Sequence, residues 1–178
     1  QGTGNAIVEV QSAGEDLSGL TLDAKVTGIN IGTFTEVLLN LTQFGFADNV
    51  LDGAGATFYI KDTVTNLTGD QGNLSSASKI IASAESGGQN VADLTLDDEV
   101  TDIDLGAFTD VIVTSAQADG LTFQGTGNAI VEIQANDEDL SGLTLDALAT
   151  KVDLGAFTDV VVTSAQADGL TFQGTGNA

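Results

Sequence analysis

The stretch LGAFTDVIVTSAQADGLTFQGTGNA, residues 105–129, returns at 154–178 with a single change, Ile112 to Val161. A second phrase, QGTGNAIVEVQSAGEDLSGLTLDA at 1–24, returns at 124–147 as QGTGNAIVEIQANDEDLSGLTLDA. Offsets of 49 and 123 residues therefore run through the 178-residue chain. A chain of such copies is a tandem array, and its fold is reasoned from one stacked unit. The hexapeptide QGTGNA stands at 1–6, 124–129 and 173–178, so the sequence starts and stops inside the same phrase.

A shorter beat lies within the blocks. With the first apolar residue of GLTF at 120, GLTL at 142 and GLTF at 169 as anchor, coils start at Leu20, Val50, Leu74, Leu94, Leu121, Leu143 and Leu170, 20 to 30 residues apart. Residues 1–178 then form one array with blocks at approximately 1–51, 52–123 and 124–172, while 173–178 begins the next. The middle has diverged most. There DGAGATFYIKD from Asp52 aligns with QGTGNAIVEIQ from Gln124, and SKIIASA at 78 with NAIVEIQ; SSASKIIASAE fits a helical or a strand period.

Short segments alternate at period two: Val131 and Ile133 around Glu132, Val152 and Leu154 around Asp153, Ile103 and Leu105 around Asp104, Leu143 and Leu145 around Thr144. In a strand the aliphatic set points inward and Glu, Asp and Thr outward. Between these segments sit GTGN, DLSG, LGAF and QADG, which supply tight corners. Such coils imply an all-β fold, a parallel β-solenoid of about seven coils of 20–30 residues stacking end to end. One coil buries too little apolar surface to offset the entropy of ordering it, so stability comes from stacking. The absence of proline agrees, since each interior strand donates its N–H groups to a neighbouring coil. No capping helix or charged loop is visible at either end, which predicts open strand edges.

Composition narrows the partners. Twenty-six acidic residues face four lysines, Lys25, Lys61, Lys79 and Lys151, for a net charge of −22. That excludes nucleic acid and anionic membrane surfaces and selects cations. About seven coils at ~4.8 Å each rise ~34 Å, which gives roughly one charge per 1.5 Å, close to the density of duplex DNA. No apolar run is long enough for membrane insertion. Cysteine, histidine and arginine are absent, so the chain lacks the usual nucleophile and base pairs and is read as non-enzymatic, with no cofactor unless calcium.

The calcium candidates are Asp97, Asp98, Asp102, Asp104, Asp137 and Asp139, which fit neither an EF-hand nor the toxin-type nonapeptide; a solvated acidic face is the plainer reading. GTG at 2–4, 125–127 and 174–176 lacks the phosphate-loop lysine and reads as corner glycine. Asn5, Asn128 and Asn177 are placed to form a ladder, and Thr21, Thr95, Thr122, Thr144 and Thr171 to form an outward column. Asn40, Asn66 and Asn73 begin glycosylation sequons.

The phrases FTDVIVTSAQADGLTFQGTGNAIVEI and LSGLTLDALATKVDLGAF resemble the low-complexity repeats of large secreted bacterial surface proteins of the adhesin-like or haemolysin-like kind. The resemblance implies an extracellular or cell-surface location and a structural or adhesive role. Together with the repeat it gives two expectations. In the first the chain is the building block of an extracellular filament or matrix fibre, its partner being itself, head to tail through 1–6 and 173–178. In the second it is a stiff stalk segment of a long cell-surface adhesin, stabilised by calcium.

Overall fold

The computed structural model describes residues 5–31, 34, 36–47, 57–72, 74 and 77–178. The fold is all-β, a parallel β-solenoid. The chain divides into two compact units, residues 1–62 with 71–81 and residues 63–70 with 82–178.

In the first unit the strands are β1 (Ala6–Glu9), β2 (Glu15–Asp16), β3 (Val26–Asn30) and β4 (Glu36–Leu39), followed by helix α1 (Leu41–Ala47); β5 (Thr57–Thr63) and β6 (Lys79–Ser83) begin in this unit and end in the second. β1 pairs with β3, and β4 lies between β2 and β5, all parallel. Val10, Leu17, Ile29, Ile31, Val37 and Leu39 form its core, with Phe34, Phe44 and Phe58 packed against them. Of the two periods open for SSASKIIASAE, the strand period holds: Lys79–Ser83 is extended and buries Ile80, Ile81 and Ala82.

The second unit contains β7 (Asp102–Asp104), β8 (Val111–Thr114), α2 (Ser115–Ala118), β9 (Thr122–Gln124), β10 (Ala129–Glu132), β11 (Ala149–Asp153), α3 (Ser164–Gly169) and β12 (Thr171–Gln173). One parallel ladder runs β8, β10, β11, β12, and β7 pairs with β9 in another. The inward set is as expected at Ile103, Leu105, Val131, Ile133, Val152 and Leu154, all buried.

Parallel partners lie only 18 to 22 residues apart, from Ile112 and Ile130 at the short end to Glu15 and Val37 at the long end. The longer coils expected from the GLTF anchors are replaced by this tighter one. The anchors mark repeated phrases and not stacked positions, because Thr122 pairs with Asp102 and Thr171 with Lys151. The 49-residue block then spans about two and a half coils, so identical phrases fall in different ladders. TFQ at 122–124 belongs with β7, and TFQ at 171–173 with β11.

Three further expectations are corrected. Leu143 and Leu145 are half-buried while Leu140 is fully buried, because residues 140–149 make successive tight turns that leave no pleat to alternate. The threonine column does not form, since the register sets Thr122 beside Asp102 and Thr171 beside Lys151. The asparagine ladder is absent as well. Asn128 bonds Asp110, and Asn177 accepts from the Asp159 N–H, each pairing with an aspartate one coil away.

Helical turns at TSAQ, which period-two reading passed over, follow from a capping box. Thr114 Oγ accepts the Gln117 N–H, and the Gln117 side chain accepts the Thr114 N–H; Thr163 and Gln166 repeat this pair. In α1 the same roles fall to Asn40 and Gln43.

Candidate assembly interface

The acidic residues serve first as corner pieces. Asp16, Asp23, Asp97, Asp104, Asp139, Asp146 and Asp153 each accept, through Oδ1, the backbone N–H two residues ahead, at 2.8 to 3.0 Å. Of these seven turn-closing carboxylates Asp97 is buried and the other six stand at solvated or half-buried corners, where a turn can hold a charge. The calcium candidates are therefore spread over separate corners. Asp97 and Asp102 are buried, Asp102 accepting from Thr101 Oγ1; Asp98 is exposed; Asp104 and Asp139 close turns. Asp137 sits at φ +58, where Gly14 and Gly88 stand in the equivalent copies, and it serves the turn through its backbone. Among the described residues no three such side chains gather as a group that could hold a metal.

Among the described residues two carboxylates are held below the usual range. Asp110 is lowered chiefly by its hydrogen bond from Lys151, then by that from Asn128, so three successive coils meet at one carboxylate. Asp139 is lowered by the hydroxyl and backbone N–H of Ser141.

Coils are joined by two recurring devices. In the first, the glutamine that caps a short helix also donates its amide N–H groups to two carbonyls of the preceding coil. Gln43 reaches Leu17 and Leu20 at 2.7 and 2.9 Å, Gln117 reaches Val91 and Leu94 at 3.1 and 3.0 Å, and Gln166 reaches Leu140 and Leu143 at 2.8 and 3.3 Å. The signal in the sequence was the phrase TSAQ, with NLTQ at 40–43 as its diverged copy.

The second device is the GTGN phrase, which lies on the backbone of the LGAF phrase one coil earlier. Thr126 and Gly127 donate to Gly106 O, and a Cβ on Gly127 would stand 1.9 Å from Phe108 O. Thr175 and Gly176 repeat this on Gly155 and Phe157. The glycines are thus required by close approach between backbones as much as by the turn.

Of the sequons, Asn40 donates one side-chain N–H to Ser18 O, a bond that joins two coils. Asn66 is exposed in a turn, and Asn73 lies outside the described residues. An open groove of roughly 520 Å³ recurs beside α2 and α3, lined by Leu94, Leu96 and Gln117 in one copy and by Leu143, Leu145 and Gln166 in the other.

The exact repeat supplies its own comparison between an inner and an outer coil. Phe123, Val113 and Ala118 are buried, whereas Phe172 and Val162 are half-buried and Ala167 is exposed. Since the sequences match, the difference comes from the coil that lies over the inner copy. No helix among the described residues is long and apolar enough to cross a membrane. Comparison of the chain with protein-family models, with curated proteins and with solved structures gave no match.

Proposed function

We propose that the protein is structural: a β-solenoid building block that another copy continues head to tail, giving an extracellular filament or matrix fibre. The observation that carries this reading is the inner and outer pair of identical phrases. Residues 154–178 expose apolar side chains that residues 105–129 bury, so this coil carries a face that one more coil, of the same chain or of another copy, would cover. Adding it would gain about 25 cal/mol for each Å² of apolar area buried and satisfy backbone groups along the open edge. The net charge of −22 opposes that contact, so cations are the partners that permit it.

The test is to concentrate the protein in increasing salt, image the product and record diffraction from aligned material. Filaments with a spacing of about 4.8 Å along the axis are expected. A protein that stays monomeric at every salt concentration, or filaments whose 4.8 Å spacing lies across the axis, would overturn the reading.

A further inference from the structure

We infer that the groove beside α2 is a docking site for a basic, apolar peptide segment of a partner protein, whose aliphatic or aromatic side chains enter the groove while its lysine or arginine meets an acidic rim. The groove, roughly 520 Å³, runs between the LTLD phrase at 94–97 and the α2 turn one coil later. It lies inside the array, ahead of strands β9 to β12 of the same unit, so its opening belongs to the coil itself. The copy beside α3 has the same volume.

Both walls are fixed before anything binds. Residues 94–97 are backed by residues 67–69: the Gly69 N–H donates to Thr95 O and the Asp97 N–H to Leu67 O, each at 2.8 Å, and Leu96 forms an antiparallel bridge with Thr68. The opposite wall, α2, is tied down by Gln117, whose amide reaches Val91 O and Leu94 O. Small residues on that wall keep the space open. Ala116 is exposed, and a Cβ on Gly120 would meet nothing within 4 Å. Leu94, Leu96 and Leu121 are left half-buried around the gap, whereas Ile103, Leu105, Val111 and Val113 of the same unit are fully buried. A fixed apolar recess of this kind needs little reorganisation to receive an occupant.

Charge selects the occupant. Asp97, Asp98 and Asp119 line this groove and none of the described residues lining it is basic; Asp98 and Asp119 are exposed. A chain of net charge −22 repels an acidic segment and draws in a basic one. The open mouth covers one side of its occupant only, which suits the side chains of a peptide that continues beyond the groove and not a small molecule that must be enclosed. The α3 copy sharpens the assignment. It keeps the leucines as Leu143, Leu145 and Leu170, but Ala147 stands where Asp98 does and Asp146 is its one acidic lining residue among those described. A basic segment therefore binds beside α2 more tightly than beside α3.

The test titrates the full chain, at about 0.15 M salt, with three pentapeptides blocked at both ends, KLFLK, KSGSK and ELFLE, while leucine methyl resonances are followed. KLFLK is expected to shift Leu94, Leu96 and Leu121 at the lowest concentration and to bind at least about tenfold tighter than either of the others. Asp98→Asn should weaken KLFLK by about threefold or more, and Ala116→Leu should fill the groove and abolish the preference over KSGSK. Ala147→Asp, at an exposed position, should instead strengthen binding at Leu143 and Leu145. KSGSK binding as tightly as KLFLK would reduce the contact to general charge attraction and overturn the site. So would KLFLK binding that leaves Leu94 and Leu96 unmoved. ELFLE binding as tightly as KLFLK, or an Ala147→Asp variant that gains nothing, would overturn the basic occupant.

Discussion

At the residue scale the solenoid depends on where backbones touch. A Cβ on Gly127 meets Phe108 O at 1.9 Å, whereas one on Gly142 meets nothing within 4 Å. Gly127→Ala is therefore expected to destabilise by about 3 kcal/mol or more, and Gly142→Ala to change stability by less than about 0.5 kcal/mol, as read by denaturant unfolding. Asp110 makes the second case. Its carboxyl is lowered in the folded chain by Lys151 and Asn128, so its contribution is fully present above the unfolded value of about 3.9 and fades as pH falls through the lower folded one. Asp110→Asn keeps the left-handed backbone acceptable, at φ +62, while removing the charge. The stability advantage of the parent over this variant should be constant near neutral pH and shrink below about pH 4. An advantage that grew on acidification would contradict the assignment.

At the element scale, Gln43 holds three things together: the cap of α1, Leu17 O and Leu20 O. It is only 2% exposed, so its loss leaves buried acceptors without donors. Gln43→Ala should cost about 2–4 kcal/mol, and Gln43→Glu at least as much, because a buried carboxylate would face the Leu17 and Leu20 carbonyls with no hydrogen to donate; thermal unfolding would rank the two. This element shows what the sequence conveyed and what it did not. Alternation at Val131–Ile133 and Val152–Leu154 was legible because one face of a strand is buried. The helical turn was hidden from period reading, being one turn long, yet the T-x-x-Q spacing of Thr114 and Gln117 carried it. Leu143 and Leu145 misled because two turns closed by Asp139 and Asp146 break the pleat that alternation assumes. The corner aspartates were legible as acidic positions but not as turn-closing ones, because composition does not display the i to i+2 hydrogen bonds of Asp97, Asp104 and Asp139.

At the scale of the whole molecule, repulsion among 26 acidic groups is the term that solution conditions move most easily. Thermal stability should rise with sodium chloride as the Debye length shortens. Calcium at matched ionic strength should act gradually, without a step at one or a few equivalents, because the acidic corners are dispersed; a sharp stoichiometric rise would reveal a defined site. The solenoid itself was legible from repetition, since stacked coils are what tandem phrases build. The coil length was not, because the phrases recur every 49 residues while the backbone stacks every 18 to 22, and a half-coil remainder moves each copy to another ladder. The most direct test of that mismatch uses the natural absence of cysteine. Two double variants are compared under oxidation, Lys151→Cys with Thr171→Cys, which the observed register pairs, and Thr144→Cys with Thr171→Cys, which would be neighbours if the GLTL and GLTF phrases stacked. Partners in register across parallel strands lie about 4.8 Å apart, within disulfide reach. The account predicts an intramolecular cross-link in the first variant and none in the second; a cross-link in the second variant and none in the first would contradict it.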